Sequence, residues 1–258
     1  MKVVLLAGGL GTRISEETQL RPKPMVEIGG MPILWHIMKE YSYFGINEFI
    51  ICAGYKQHMI KEWFADYFLL TCDVTFDFYE DNKVIIHNKK TEPWKVTVIN
   101  TGLKTMTGGR IKAVQKYVGD ETFFMTYGDG VCDVNISDLL KFHRQNGKIA
   151  TLTAVKIEQR FGVLDIQDGY VRAFREKSKT DTEPINAGYM VLEPKIFDYL
   201  GGKECVFEKE PLERLAAEGQ LVSYLHKGFW QCMDTKKEHE MLEKMWASGN
   251  APWKVWNN

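Results

Sequence analysis

The chain has 258 residues, of which 33 are Lys or Arg and 34 are Asp or Glu, so its formal net charge is −1. With 45% hydrophobic and 26% charged residues it has the composition of an ordinary globular protein, which excludes disordered, collagen-like and disulfide-stapled classes. The near-neutral charge lacks the clustered excess of Lys and Arg that phosphate-backbone binding requires, which argues against nucleic acid as a partner.

The cysteines and the N-terminal residues predict the compartment. The five cysteines are odd in number and far apart, and none forms a C-x-x-C pair, so we expect reduced thiols in the cytoplasm. Only the short apolar run 3–7 precedes Gly8 and Gly9, which is too short for a signal peptide, and no segment approaches the roughly 20 apolar residues of a membrane span. A cytoplasmic protein with no membrane partner is therefore predicted.

Strands and helices alternate in the first half of the chain. The apolar run Val3–Leu6 ends at glycines and is typical of a strand buried on both faces of a parallel sheet. Further elements are predicted in chain order as a helix from Pro32 to Gly45, a strand at 49–52, a helix at 59–68 and a strand at 123–126. This alternation predicts an α/β fold with a doubly wound, mostly parallel, Rossmann-like sheet.

Shorter β-type runs follow residue 73 and predict additions to that sheet. Residues 73–100 contain three such runs without helices between them, at 74–78, 83–87 and 95–99, and we expect an antiparallel β insertion there. Asp168-Gly169, between two further runs, predicts a hairpin.

The last third of the chain, 150–258, is predicted to be a mixed α+β portion. An amphipathic helix is expected at 235–247, and the short aromatic tail Ala251–Trp256 is expected to dock on its own chain or on a neighbouring subunit. Since no repeat or linker interrupts the sequence, we expect a single domain, 1–258.

A glycine-rich stretch directly follows the first strand. It reads Leu6-Ala7-Gly8-Gly9-Leu10-Gly11-Thr12-Arg13, and Pro22-Lys23-Pro24-Met25 comes soon after it. Glycines at this place let backbone N–H groups approach an anion, and Arg13 and Lys23 add the positive charge that a polyphosphate needs. A purely structural turn explains the glycines alone, but it does not explain the two basic motifs beside them.

Two other phosphate-binding motifs are excluded by spacing. The chain contains no G-x-x-x-x-G-K-[ST] run, so it has no Walker loop. Gly9-Leu10-Gly11 lacks the third glycine of a dinucleotide fingerprint, and Ala53-Gly54 stands where that fingerprint places an acidic residue.

These motifs resemble the signature of the sugar-1-phosphate nucleotidyltransferases, and the likeness extends over the whole chain. Further matching segments are Ser15-Glu16-Glu17-Thr18, Glu92-Pro93-Trp94, Met106-Thr107-Gly108-Gly109-Arg110, Tyr127-Gly128-Asp129-Gly130, Gly228-Phe229-Trp230-Gln231 and Met233-Asp234-Thr235. The resemblance implies the nucleotidyltransferase type of α/β fold and an enzyme that joins CTP to glucose 1-phosphate and releases pyrophosphate. It also implies a product used in dideoxysugar synthesis for the O-antigen of lipopolysaccharide.

The resemblance assigns roles to matching residues. Nucleotide binding falls on Leu6, Ala7, Gly8, Gly9, Leu10, Gly11, Thr12, Arg13, Lys23, Thr105, Arg110 and Gly128, with Thr105 and Arg110 selecting the base. Arg13 and Lys23 are also expected to be catalytic, because charge that develops around the α-phosphate needs fixed cations. Sugar binding falls on Gly162, Glu176, Lys177, Asn186 and Gly188.

The resemblance also implies Mg²⁺ as the cofactor, held by Asp129 and Asp234. Two carboxylates leave most of the octahedral shell of Mg²⁺ to phosphate oxygens and water. On spacing alone, Asp129 is more simply a turn residue and Asp234 a helix N-cap.

Several alternatives stay open at this level. Spacing does not separate CTP from UTP or dTTP, and only the resemblance does. A catalytically silent sugar-nucleotide sensor would keep the same fold, although it would have no need for both metal carboxylates. We expect a homo-oligomer, with a hexamer as the candidate state. Ser178 stands where the family usually has Pro after Glu-Lys, which leaves the geometry of that loop open.

Overall fold

The computed structural model describes residues 1–11, 20–88, 91–156, 163–167, 170–175 and 183–256. Its strands are β1 (Lys2–Ala7), β2 (Glu27–Ile28), β3 (Met31–Pro32), β4 (Glu48–Ala53), β5 (Val74–Asp77), β6 (Lys83–Ile86), β7 (Lys95–Asn100), β8 (Phe123–Tyr127), β9 (Gly130–Cys132), β10 (Ala150–Lys156), β11 (Val163–Gln167), β12 (Tyr170–Arg175), β13 (Pro184–Leu192), β14 (Leu221–His226) and β15 (Trp230–Cys232). Its helices are α1 (Ile33–Tyr43), α2 (Gln57–Ala65), α3 (Tyr67–Thr71), α4 (Thr107–Ala113), α5 (Gln115–Val118), α6 (Ile136–Asn146), α7 (Glu210–Ala217) and α8 (Lys236–Ala247), with 3₁₀ turns at Lys23–Met25 and Pro194–Tyr199. Within these residues, no helix combines the length and the apolar character needed to cross a membrane.

Seven strands form the main sheet, in the order β14-β10-β13-β8-β1-β4-β7. β1 runs parallel to both β4 and β8, and β4 runs parallel to β7. β13 is antiparallel to both of its neighbours, β8 and β10, while β10 and β14 are parallel. The predicted α/β fold with a mostly parallel sheet is confirmed.

Both faces of this sheet are covered by hydrophobic core. Along β1, Val3, Leu5 and Ala7 belong to one core, and Val4 and Leu6 belong to the other. Helix α1 contributes to the first core and α4 to the second. The first strand is apolar throughout because successive side chains enter different cores.

The region after residue 73 contains one correction to the sequence prediction. β5 and β6 pair antiparallel with each other, as expected of an addition. The run 95–99 was expected to be antiparallel as well, but it lies in β7, which pairs in parallel with β4 at the edge of the main sheet. Its interior side chains are only half-buried, so it lacks the continuous apolar pattern of a central strand.

Three other predicted elements are found with adjusted boundaries. The helix expected at 59–68 is two helices, α2 and α3, with Asp66 between them. The hairpin of β11 and β12 is confirmed, while its turn residues 168–169 lie outside the described part of the chain. The last helix, α8, starts after Thr235, whose side chain caps it in a reciprocal arrangement with Glu238.

The C-terminal tail packs on its own chain, one of the two placements that we expected. Trp253 is fully buried, and its ring stacks on Trp246 at a centroid distance of 6.4 Å. Its indole Nε1 donates to Nδ1 of His36 in α1 at 3.3 Å, and Trp256 lies close to the same imidazole. We call His36, Trp246, Trp253 and Trp256 the aromatic cap.

Candidate active site

A cavity of about 390 Å³ opens at the carboxyl ends of β1 and β8, which are adjacent parallel strands. Strand ends of this kind are where open α/β sheets bind ligands. The predicted site residues that line it are Leu6, Ala7, Gly8, Gly9, Gly11, Lys23, Thr105, Arg110, Gly128, Asp129 and Asp234. The fold thus gathers five separate chain segments around one cavity.

Two glycines allow the walls of the cavity to approach each other closely. A Cβ atom on Gly8 would lie 2.1 Å from a guanidinium nitrogen of Arg110, and one on Gly128 would lie 2.9 Å from the carbonyl oxygen of Leu6. A Cβ atom on Gly9 would meet open space instead. The glycine-rich backbone is therefore packed against the protein at Gly8 and open at Gly9, which suits contact with an anion.

Lys23, Asp129 and Asp234 form what we call the charged cluster. Nζ of Lys23 donates to Oδ2 of Asp129 at 2.6 Å and to Oδ1 of Asp234 at 2.5 Å. The Lys23 side chain is 9% exposed, whereas those of Asp129 and Asp234 are 34% and 27% exposed. Burial lowers the pKa of Lys23, but the charges and hydrogen bonds of the two carboxylates outweigh burial and raise that pKa above its ordinary value. Lys23 therefore carries a full positive charge in the cavity.

Hydrogen bonds from the backbone fix the positions of the two carboxylate-bearing segments. The carbonyl oxygen of Asp129, just beyond β8, accepts from the N–H of Met233 at 2.8 Å. The N–H of Asp234 donates to the Glu238 carboxylate, also at 2.8 Å. Since Thr235 is the N-cap of α8, the alternative that Asp234 itself caps the helix is wrong.

The charged cluster also fits a divalent metal ion. One carboxylate oxygen from Asp129 and one from Asp234 lie within 2.6 Å of the same ammonium nitrogen, so one cation already bridges the pair. Both side chains are partly exposed. Carboxylate oxygens are the ligands that hard cations such as Mg²⁺ prefer.

Arg110 and Thr105, the residues predicted to select the base, lie in the wall beside Gly8. The Arg110 side chain is buried and donates to the carbonyl oxygens of Gly8 at 2.9 Å and Gly102 at 2.8 Å, and to the hydroxyl of Thr101 at 2.6 Å. Burial lowers the pKa of Arg110 below its ordinary value. Arg110 thus ties together the loops that follow β1 and β7.

The cavity is also lined by four residues for which the sequence predicts no role: Pro24, Met106, Thr107 and Tyr127. All four belong to motifs that carried the family resemblance. Tyr127 ends β8 immediately before Gly128, so its position at a strand end was a usable signal.

Other predicted residues lie elsewhere. Leu10 is 52% exposed and does not line the cavity. On β13, Oδ1 of Asn186 accepts from the N–H of Gly188 at 2.9 Å, and a Cβ on Gly188 would lie 2.4 Å from the ring of Tyr127. The proposed sugar residues of β13 therefore adjoin the cavity through Tyr127. The remaining candidates lie outside the described residues: Thr12, Arg13, Gly162, Glu176 and Lys177.

Comparisons with known proteins identify the family and the fold of this chain. The family model described as nucleotidyl transferase matches residues 2–245. The chain is 55% identical over 257 residues to a glucose-1-phosphate cytidylyltransferase from Salmonella typhi, covering 99% of this chain and 100% of that protein. It is 46% identical, with the same coverage, to a probable glucose-1-phosphate cytidylyltransferase from Bacillus subtilis. A solved structure, a putative glucose-1-phosphate thymidylyltransferase from Bacillus anthracis, shares the fold with a TM-score of 0.72 at 16% identity, covering 100% of this chain and 98% of that one.

Proposed function

The chain belongs to the nucleotidyl transferase family, and we propose that it transfers a cytidylyl group from CTP to glucose 1-phosphate, giving CDP-glucose and pyrophosphate. The observation that carries the proposal is the charged cluster of Lys23, Asp129 and Asp234, in the same cavity as the glycine-rich backbone after β1. The choice of CTP and glucose 1-phosphate is supported by the full-length identity of 55% to the Salmonella typhi enzyme.

The proposed reaction needs no nucleophilic side chain. A phosphate oxygen of glucose 1-phosphate is already ionised, and it attacks the α-phosphorus of CTP in line. One P–O bond forms as the bond to pyrophosphate breaks. Because both reactants are polyanions, the protein contributes mainly by aligning them and by neutralising their charge.

Lys23 is suited to neutralise charge at the reacting phosphorus. Its ammonium group has three N–H donors, of which two bind Asp129 and Asp234. The third can donate to a phosphate oxygen in the cavity, where a buried fixed charge stabilises the transition state more than a solvated one would. Arg13, by the family resemblance, is proposed to bind the departing pyrophosphate.

Members of this family generally use a divalent metal ion, and we propose Mg²⁺ for this chain. Asp129 and Asp234 would hold the ion, since their oxygens already share one cation. When bound, Mg²⁺ withdraws charge from phosphate oxygens.

Base selection is proposed to fall on the wall that contains Thr105 and Arg110. The guanidinium of Arg110 donates to the backbone at Gly8 and Gly102, so its role includes bracing this wall. If Arg110 also reads cytosine, Arg110→Ala should narrow the gap in kcat/KM between CTP and UTP. An equal loss for both nucleotides would restrict Arg110 to bracing.

The sugar is proposed to bind beside Tyr127. Gly188, which packs against the Tyr127 ring, and Asn186, which holds the N–H of Gly188, support a subsite there. Glu176, Lys177 and Gly162 complete this proposal by the family resemblance alone.

A homo-oligomer is also proposed, with a hexamer as the expected state. Aromatic side chains of the β5–β6 hairpin support it, since Phe78 is 80% exposed and Tyr79 is 97% exposed. Light scattering coupled to size-exclusion chromatography measures the mass directly, and a monomer at working concentration would contradict the proposal.

The central test is pyrophosphate release over a matrix of CTP, UTP and dTTP with several sugar 1-phosphates. We expect release to be fastest with CTP and glucose 1-phosphate, to stop when divalent metal is chelated, and to return with Mg²⁺. Equal or faster release with UTP or dTTP would reassign the nucleotide. Nucleotide binding without release from any pair would favour a sugar-nucleotide sensor.

A further inference from the structure

Thr107 and Tyr127 line the cavity from two different walls. Thr107 is the first residue of α4, two positions after Thr105 in the wall proposed to select the base. Tyr127 is the last residue of β8, and its ring packs against Gly188, in the proposed sugar subsite. With the nucleotide and the sugar bound as proposed above, the distance between these walls would set how the two substrates face each other.

One carboxylate joins the two walls. Oε2 of Glu208 accepts a hydrogen bond from the Thr107 hydroxyl at 2.6 Å, and Oε1 accepts one from the Tyr127 hydroxyl. The Thr107 oxygen in turn accepts from the N–H of Phe207 at 2.9 Å. Because that N–H occupies a lone pair of Thr107, the hydroxyl proton is directed at Glu208. Each oxygen of Glu208 thus holds a different wall.

The segment that carries Glu208 is itself anchored. Phe207 is fully buried in the core. The carbonyl oxygens of Lys203 and Cys205 accept from the N–H groups of Met106 at 2.8 Å and Gly109 at 3.2 Å. Glu208 is exposed, but its backbone is held both by the core and by the start of α4.

We propose that Glu208 is a positioning residue for nucleotidyl transfer, which holds Thr107 and Tyr127 at a fixed separation so that the nucleotide and the sugar phosphate align. The proposal rests on the proposed function. The hydroxyl groups of Thr107 and Tyr127 both donate to the Glu208 carboxylate. Charge-assisted hydrogen bonds of this kind are stronger than neutral ones, which suits a contact that fixes geometry.

Glu208→Ala removes both contacts and should lower kcat at least about tenfold, because small misplacements of reacting groups are costly. Glu208→Gln keeps one acceptor oxygen and should lose less. The matched control is Glu204→Gln, an exposed residue in the same segment, which should retain wild-type kcat and KM. Thermal unfolding of all variants separates an effect on alignment from an effect on folding.

Two further variants separate the walls. Thr107→Val should chiefly raise the KM for CTP, and Tyr127→Phe should chiefly raise the KM for glucose 1-phosphate. In the Thr107→Val/Tyr127→Phe double variant, adding Glu208→Ala should cost no more than about twofold, because both hydroxyl partners are already gone.

The proposal is overturned if Glu208→Ala matches the Glu204→Gln control, or if it still costs tenfold in the double variant. These comparisons are made with whichever substrate pair the wild-type protein turns over fastest. Failure of the proposed function is visible in the wild-type protein alone, as a different preferred pair or as no pyrophosphate release, so the two failures are distinguishable.

Discussion

The charged cluster and the aromatic cap both join residues that lie far apart in the chain, but they differ in how a buried basic group is accommodated. Lys23 binds Asp129 and Asp234, 106 and 211 positions later. His36 accepts a hydrogen bond from Trp253, 217 positions later. In the cluster the basic group is charged and faces two carboxylates, while in the cap it faces aromatic rings.

The pKa values of the two basic groups shift in opposite directions. Burial lowers the pKa of Lys23 and of His36 alike. Two adjacent carboxylates reverse the effect for Lys23. His36 instead has uncharged partners, the carbonyl oxygen of Ile28 and the indole of Trp253, and its pKa falls to about 4. The partner, rather than burial, therefore decides whether a buried base stays charged. Only the charged group can serve a polyanionic substrate.

We therefore expect variants of the two regions to fail in different ways. Changes in the charged cluster should lower turnover while the fold is kept. Changes in the aromatic cap should lower the free energy of unfolding while the chemistry of correctly folded molecules is kept.

The largest effect is expected for Trp253→Ala in the aromatic cap. Truncating a fully buried Trp leaves a large cavity, which costs about 3–5 kcal/mol of unfolding free energy. Denaturant unfolding measures this loss, and kcat per folded molecule should stay near wild type. Tyr170→Ala, at an aromatic side chain that is 72% exposed, is the control and should change stability little. A large loss of kcat in stable, folded Trp253→Ala protein would contradict a purely structural role for the aromatic cap.

Asp129→Asn tests the charged cluster, where we expect turnover to fall while stability is kept. The change should lower turnover at least about a hundredfold, which corresponds to the loss of several kcal/mol of charge stabilisation, and should leave the fold intact. Steady-state pyrophosphate release and thermal unfolding are measured together. Asp120→Asn, an exposed carboxylate, is the matched control. Near wild-type turnover in Asp129→Asn would remove Asp129 from the proposed metal site.

Lys23→Ala tests the basic member of the charged cluster. We expect kcat to fall about tenfold or more and the KM for CTP to rise less, because the ammonium matters most as charge develops at the α-phosphate. The matched control is Lys61→Ala on the exposed side of α2. A change in KM alone would assign Lys23 to ground-state binding of the nucleotide.

Sequence patterns identified the central elements of the fold because those elements carry strong local signals. The apolar run at Val3–Leu6 and the helical spacing between Pro32 and Gly45 can each be recognised within the segment itself, without knowledge of its partners in the fold. The strand at Lys95–Asn100 was assigned the wrong orientation, because parallel pairing at a sheet edge depends on a distant partner, Glu48–Ala53. Local alternation does not specify which strand that partner is.

The candidate site was predictable to the extent that its residues belong to motifs. Lys23, Asp129 and Asp234 were expected to be functional, and the structure brings them into direct contact. Glu208 had no such signal, since its partners lie 81 and 101 positions earlier in the chain. Contacts between side chains of different segments require the fold before they can be recognised.

The smallest effect, the pH dependence of stability in the aromatic cap, follows from the lowered pKa of His36, about 4 against an ordinary 6.5. His36 is neutral when folded, with Nε2–H donating to the carbonyl oxygen of Ile28 at 2.8 Å and Nδ1 accepting from Trp253. As pH falls, His36 of the unfolded chain is protonated near pH 6.5, whereas His36 of the folded chain stays neutral down to about pH 4. The stability that neutral His36 contributes is therefore fully present above pH 6.5 and is lost as pH falls. Between pH 7.5 and 5.5 the loss should amount to about 1 kcal/mol of unfolding free energy.

Burial raises the pKa of Glu40 in the same helix, which acts on stability in the opposite direction. The test is therefore the difference between wild type and His36→Gln in the slope of unfolding free energy against pH. The exposed control His58→Gln should keep the wild-type slope, and an identical slope in His36→Gln would show that the imidazole of His36 takes up its proton equally in both states.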